Sequence, residues 1–285
     1  MTRISNSEIG TYQRCPKRFY FERILKLRPR EMPGPLALGT FGHELVEAGM
    51  RSLMEKPDDF DSAQEAVNAV LATAPDVSFM RIYRSVLYFL QTVIANGYRP
   101  VAIEEKHLVP VAEGLEFGFQ PDLIFEFTKG LSRGSLGVVD YKFTGQYWND
   151  RETNMFIQGF KYAAYWNQVH GTNLRHVGIA MFNTRAKADD TGTKLFLLKW
   201  PNLTKQTLEN VKIENEYMLK FLKPIVDNPD EHLFPRTVNK MECKLCPFAD
   251  DACPMELSGK DITKVLERNY VLNDYGYEEA LDTTR

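Results

Sequence analysis

Two sets of residues in this chain have the types and spacing to do chemistry. The first is Asp122, in GFQPDLIFEF, with Asp140-Tyr141-Lys142, in GVVDYKFTG. Both segments are short, rich in β-branched and aromatic residues, and separated by a turn, so they read as neighbouring strands of a hairpin. Alternate side chains of a strand share a face, so Asp140 and Lys142 point the same way and Asp122 joins them from the next strand. Carboxylates that close repel, and a divalent cation relieves the repulsion; oxygen ligands suit Mg²⁺ or Mn²⁺. Lys142 beside such an ion can stabilise charge developing on a phosphate and orient an attacking water. Two acids and a lysine around a hard cation are what phosphodiester hydrolysis needs. His43, in Gly42-His43-Glu44, offers a neutral imidazole as a further ligand. Alone, a helical His is usually packing or surface, and an isolated Asp-x-Lys is usually a solvated pair; the weight lies in the ordered set. Gln158 and Tyr162, four apart, share a helix face and can hold a substrate backbone or the attacking water. The ordinary alternative for them is an amphipathic helix boundary.

The second set is the cysteines. Cys15 is alone, while Cys243, Cys246 and Cys253 follow more than two hundred residues later as Cys-x2-Cys-x6-Cys. Three thiolates leave a tetrahedral or cubane site one ligand short, and Cys15 is the remaining thiol to complete it. The chain would then have its ends pinned together by a metal centre. Cys-x2-Cys suits zinc or an iron–sulfur cluster alike. A thioredoxin-like pair is disfavoured, because no strand-to-helix pattern leads into Cys243. Two other metal motifs fail. His43-Glu44-x-x-Glu47 lacks the second His of a zincin helix, and His43-Glu44 is not the His-x-Glu of a zinc deaminase.

The elements that must position these residues follow from pattern. Ser5-x-x-Glu8 is a capping box that starts a helix, which Pro16 interrupts. Residues 29–37 carry three prolines and a glycine and read as a loop. A helix follows with Phe41, Leu45 and Val46 on one face, then helices over 60–73 and 78–96 that Gly97 and Pro100 close. VAIEEKHLVPV, LEFGFQPDLIFEF and LGVVDYKF read as three strands. Glu104 and Glu105 precede this core and are given no role. Residues 152–169 are predicted helical, with Phe156, Phe160, Ala163 and Ala164 inward. LRHVGIAMFNT and KLFLLKW are two more strands, and 202–226 is a long helix capped by Asn202 or Thr204. The expected fold is α/β, a mixed sheet flanked by helices with a helical addition. The expected division is a core over 38–227 and a helical subdomain over 1–37 and 228–270.

The length, 285 residues, suffices for one large domain or two modest ones. A net charge of −3 decides nothing about nucleic acid, since local patches control such binding. No apolar run is long enough to span a membrane, and the opening MTRISNSEIG lacks a signal-peptide core. An intracellular, cytoplasmic setting with reduced thiols is therefore expected. Residues 14–30, RCPKRFYFERILKLRPR, are basic with aromatics between the charges. Arg14, Lys17, Arg18 and Arg23 are candidate DNA contacts, with Phe19 and Phe21 in the core. Tyr147 and Trp148 either line the substrate channel or simply pack.

In order along the chain come Ser5-x-Ser7, Tyr12-x-x-Cys15-Pro16-x-x-Phe19, Gly39-x-x-Gly42-His43, Pro121-Asp122-Leu123-Ile124, Val139-Asp140-Tyr141-Lys142, Gln158-x3-Tyr162, Cys243-x2-Cys246-Pro247 and Cys253-Pro254. This series resembles the RecB-like branch of the PD-(D/E)XK nuclease superfamily, whose fold is restriction-endonuclease-like. Within it, the series resembles the iron–sulfur exonucleases found beside CRISPR systems and in phages, and the related AddB nuclease domains. The resemblance implies metal ligation by His43, Asp122, Asp140 and the Tyr141 carbonyl. It implies that Lys142 is the catalytic lysine, with Gln158 and Tyr162 in support, and that Cys15, Cys243, Cys246 and Cys253 hold a [4Fe–4S] cluster. It further implies action on single-stranded or frayed DNA ends, with a homo-oligomer or recombination and CRISPR proteins as partners. One departure is Asp140, where many members carry Glu. Two competing readings are a catalytically weak DNA-binding or scaffolding subunit and a zinc-stabilised structural protein.

Overall fold

The computed structural model describes residues 1–31, 34–74, 80–230, 234–244 and 246–272. The chain begins with β1 (Thr2–Ser5), α1 (Asn6–Arg14), α2 (Pro16–Phe19), a π-helical turn (Tyr20–Ile24) and β2 (Leu27–Pro29). Three helices follow: α3 (Gly34–Glu55), α4 (Phe60–Leu71) and α5 (Met80–Asn96). Then come β3 (Tyr98–Ile103), β4 (His107–Ala112), β5 (Leu115–Phe119), β6 (Leu123–Phe127) and β7 (Leu136–Thr144). Next are α6 (Asp150–Asn154), α7 (Ile157–His170), β8 (His176–Asn183), β9 (Phe196–Lys199) and α8 (Lys205–Asp227). The last described elements are α9 (Lys240–Lys244), α10 (Ala252–Leu257), α11 (Thr263–Asn269) and β10 (Tyr270–Leu272).

These elements form two compact units, one of Met1–Pro33, Leu108–Phe119 and Glu216–Arg285, the other of Gly34–His107 and Gln120–Asn215. The larger unit holds a five-stranded sheet in the order β3-β6-β7-β8-β9. Only β7 and β8 run parallel, with Asp140 beside Ile179 and Lys142 beside Met181. The other pairs are antiparallel, with Ile103 opposite Leu123 and Leu123 opposite Val139. Leu45, Val46 and Met50 of α3 and Val86, Phe89, Leu90 and Val93 of α5 pack with Val139, Tyr141 and Phe182 in one apolar cluster. Their helical spacing gives each helix an apolar stripe, and each fully buried side chain stabilises the fold by roughly 1.5–3 kcal/mol. Because Tyr141 faces that cluster, strand alternation turns Asp140 and Lys142 to the opposite face, where α7 meets them.

The smaller unit has a three-stranded sheet, β1-β5-β4, and a two-stranded one, β10-β2. Ser5 and Glu8 make the expected capping box at α1. Phe21, Phe248 and Tyr270 form a second small core with Leu27 and Ala252. The Tyr270 hydroxyl donates to Asp251 at 2.6 Å, and Asn269 donates to the same carboxylate at 2.7 Å.

Several expectations change. VAIEEKHLVPV is two strands, β3 and β4, and LEFGFQPDLIFEF is two, β5 and β6. The first break falls at Glu104, whose φ of +52° is a left-handed conformation that ends a strand. The second includes Pro121, which has no N–H for the ladder. β5 thereby pairs with β1, and β4 with β5, instead of joining the main sheet. The helix over 152–169 is two, because an Asn149–Glu152 capping box starts α6 early and the chain turns at Met155 before α7. α3 begins at Gly34, inside the expected loop, since Pro35 is tolerated in a first helical turn. Residues 32 and 33 of that loop, and 78 and 79 of the helix expected over 78–96, lie outside the described residues. So do 231–233 and 245 of the segment assigned to 228–270. Thr204 is the cap of α8, accepting from the Thr207 amide at 3.0 Å. The smaller compact unit takes Leu108–Phe119 together with Met1–Pro33 and Glu216–Arg285. Among the described residues, no helix is long and apolar enough to cross a membrane.

Candidate metal centre and active site

The break points of the strands are where the chemistry gathers. β3 and β6 pair antiparallel, so Glu104, one residue past Ile103, meets Asp122, one residue before Leu123. The Glu104 amide donates to the Asp122 carbonyl at 3.2 Å, which fixes the two backbones together. From α3, His43 brings Nδ1 to 3.2 Å from Glu104 Oε1 and 3.8 Å from Asp122 Oδ2. One donor atom from each of His43, Glu104 and Asp122 lies within 4.8 Å of the others. The imidazole reaches in because Gly42 lets α3 sit against β7. A Cβ there would lie 2.5 Å from Phe143 Cζ and 2.6 Å from Cδ1.

Asp140 lies beside this trio, only 1% exposed, and its Oδ1 has no hydrogen-bond partner among the described residues. Its Oδ2 faces the Lys142 ammonium at 2.5 Å. Lys142 also donates to Gln158 Oε1 at 3.3 Å, and Gln158 Nε2 donates to the Tyr162 hydroxyl at 2.8 Å. The Gln158–Tyr162 spacing thus produces a direct contact on α7. A cleft of about 710 Å³ opens here, lined by His43, Glu104, Gln120, Tyr141, Lys142 and Phe143 among others.

Electrostatics make the cluster receptive to a cation. Burial, then the neighbouring Asp140, hold the Asp122 carboxyl well above the usual range. Burial likewise raises Asp140, against the pull of Lys142. Burial opposes charge on His43, but Glu104, Asp122 and Asp140 outweigh it and raise the imidazole. For Lys142, burial is outweighed by Asp140 and Asp122, so the ammonium keeps its proton. Crowded buried carboxylates that resist ionisation, an orphaned carboxylate oxygen and an imidazole are donors that fit a hard divalent ion. The Tyr141 amide donates to Asp122 Oδ2 at 2.5 Å, so Tyr141 already contributes its backbone here.

Glu104 is the residue that sequence reasoning passed over. Its carboxylate is anchored by Gln120 Nε2, 2.9 Å from Oε2, which leaves Oε1 towards His43. The available signal was a pair of acids directly after the VAI strand. Placing one at the site needed the β3–β6 pairing, which skips β4 and β5.

The thiols are only partly gathered. Cys246 lies close enough to Cys15 and Cys253 for their charges to be felt, and burial pushes its thiol up to about 11. Cys243 is exposed, with Sγ 4.0 Å from the Thr237 carbonyl. The four thiols thus do not make a clear cluster site, with Cys243 the one set apart. The basic segment is mostly paired within its own unit. Lys17 is buried at 3% exposure with its ammonium 2.7 Å from Glu256, a structural partner in place of a phosphate. Arg18 pairs with Glu22 at 2.7 Å, Arg23 with Glu8 at 2.9 Å and Arg14 with Glu242 at 3.7 Å. Phe19 and Phe21 are buried as expected. Trp148 packs edge-on against Phe156, and the buried Tyr147 hydroxyl has no hydrogen-bond partner among the described residues.

The family model described as the PD-(D/E)XK nuclease superfamily matches residues 3–254. None of the curated proteins matches. Among solved structures, the one titled "Crystal structure of SSO0001" is similar at 14% identity and a TM-score of 0.36, covering 89% of this chain and 87% of that one. A likeness that loose supports no residue-level comparison.

Proposed function

The chain belongs to the PD-(D/E)XK nuclease superfamily, and on that premise we propose that it is a metal-dependent DNA exonuclease acting on single-stranded or frayed ends. The observation that carries the reading is the convergence of His43, Glu104 and Asp122 donor atoms beside the buried Asp140–Lys142 pair. His43, Glu104, Asp122, Asp140 and the Tyr141 carbonyl would hold one or two Mg²⁺ or Mn²⁺ ions. When bound, such an ion neutralises the carboxylates and offsets charge on the phosphoryl oxygens. The remaining work falls to side chains. Lys142 stays protonated between Asp140 and Gln158, positioned to stabilise the negative charge that grows as water attacks phosphorus. Tyr162 fixes the Gln158 amide so that its oxygen faces Lys142. One P–O ester bond breaks, the attacking water gives up a proton to solvent, and the departing oxygen takes one up.

The place of this activity in recombination, repair or CRISPR-type DNA processing rests on the ordered motif series. A [4Fe–4S] cluster on Cys15, Cys243, Cys246 and Cys253 belongs to the same proposal, with zinc as the competing occupant. Its support is the proximity of three thiols and the Cys246 amide bonded to the Cys243 carbonyl at 3.1 Å. The role would be structural, tying α1–α2 to the segment that holds α9 and α10.

The test is digestion of end-labelled single-stranded DNA with Mn²⁺. The wild type should shorten the strand from an end, and Asp140→Ala or Lys142→Ala should lower the rate at least about a hundredfold. Full activity in either variant overturns the assignment.

A further inference from the structure

β7 and β8 run parallel and end together, with Thr144 beside Asn183. Parallel strands of an α/β sheet present ligand sites beyond their carboxyl ends. The residues there are Gly145, after β7, and Thr184-Arg185, after β8. Arg185 is laid directly over Gly145: a Cβ on that glycine would sit 2.5 Å from Arg185 Nε, 2.9 Å from Cδ and 3.0 Å from Cζ. Only a residue without a side chain admits the guanidinium so close. Gly145 lies three residues past Lys142, about 10 Å along the strand.

The loop carrying Arg185 is held firmly. The Asn183 carboxamide oxygen accepts the Arg185 amide at 2.8 Å, while its nitrogen donates to the Lys194 carbonyl at 2.8 Å. From α5, the Arg84 guanidinium donates to the carbonyls of Lys187, Ala188 and Asp190 at 3.2, 2.5 and 2.7 Å. Asp190 accepts the Lys187 amide at 2.7 Å and faces Lys194 at 3.7 Å. Asp189 is exposed on the same loop, yet among the described residues Arg185 pairs with no carboxylate. An exposed guanidinium, fixed at its base and with its charge uncommitted, matches the geometry of a phosphate diester.

We propose that Arg185, seated over Gly145, binds a backbone phosphate of the bound nucleic-acid strand, next to the phosphate being cleaved. The inference rests on the nuclease reading above and adds a substrate subsite to it. Arg185 touches substrate and sets strand register, without taking part in bond breaking.

The probe is a fluorescein-labelled oligothymidylate, with Ca²⁺ in place of Mg²⁺ and Mn²⁺. Its affinity is read by anisotropy between 50 and 200 mM salt, alongside cleavage kinetics in Mn²⁺. Arg185→Ala should lower the slope of log affinity against log salt by about 0.7, the loss of one single-strand phosphate contact. It should also raise KM about five- to tenfold, more than it lowers kcat. Arg185→Lys should keep most of the salt slope, since the charge remains. An Arg185→Ala slope and KM equal to wild type, in a wild type that binds and cleaves, overturns the subsite and leaves the nuclease reading standing. A wild type that cleaves with neither metal overturns both.

Discussion

Replacing Gly42 by Ala should damage the site from a position that touches no substrate. The added methyl would lie 2.5 Å from Phe143 Cζ, whereas ordinary contact begins near 3.4 Å. Either the Phe143 ring or α3 must therefore yield by roughly 1 Å. Overpacking on that scale costs about 1–3 kcal/mol. For a chain of this size that is a fall in Tm of about 2–4 °C per kcal/mol. His43 is the next residue, and its 3.2 Å contact with Glu104 does not survive a 1 Å movement. A misplacement of that order can reduce cleavage about a hundredfold. Gly39 lies in the same helix with nothing within 4 Å of a built Cβ. Gly39→Ala should be neutral or stabilising by up to about 1 kcal/mol, through helix propensity alone. Thermal melts, Mn²⁺ calorimetry and end-labelled DNA cleavage read the three effects. Adding Phe143→Leu to Gly42→Ala should restore part of the loss, a coupling that a cycle of single and double variants measures. Wild-type Tm and activity in Gly42→Ala would refute the claim that close approach of α3 to β7 positions His43.

Other outcomes follow from the same coordinates. Gln120→Leu removes the group that orients Glu104 and should weaken Mn²⁺ about 10–100-fold by calorimetry, with little change in Tm without metal. Lys161 is brought down to about 8 by burial, against the pull of Glu214. The unfolded chain holds the extra proton up to about pH 10.4, so stability should rise with pH between about 8 and 10.4. Lys161→Met should remove that rise, so the wild-type-minus-variant difference in denaturant midpoints should climb with pH across the window. Protein prepared without oxygen should carry iron and sulfide in equal amounts and absorb visible light, and Cys15→Ser should abolish both. Zinc without sulfide would replace the cluster assignment.

How much of this was legible in the sequence depended on range. Asp140 and Lys142 could be placed together because strand alternation is a local rule, and Asp122 joins them across one hairpin. Gln158 and Tyr162 could be paired by helical spacing, and the structure shows them hydrogen-bonded. Glu104 could not be assigned, because its neighbour is set by β3 pairing with β6 across an excursion that includes β4 and β5. The left-handed turn at Glu104 that launches the excursion leaves no mark on a composition of hydrophobic and β-branched residues. The charges of residues 14–30 were visible, but their carboxylate partners Glu8, Glu242 and Glu256 come from elsewhere in the chain. Lys17 therefore looked like a surface cation and is a buried one. Spacing brought Cys246 and Cys253 together, whereas the exposure of Cys243 depends on a segment whose path no short motif encodes.

Anomalous diffraction from crystals soaked in Mn²⁺ tests the metal assignment most directly. The account predicts a peak within about 2.0–2.3 Å of donor atoms from His43, Glu104, Asp122 and Asp140, beside the Lys142 ammonium. A Mn²⁺-activated protein whose anomalous peak lies away from these side chains would contradict it.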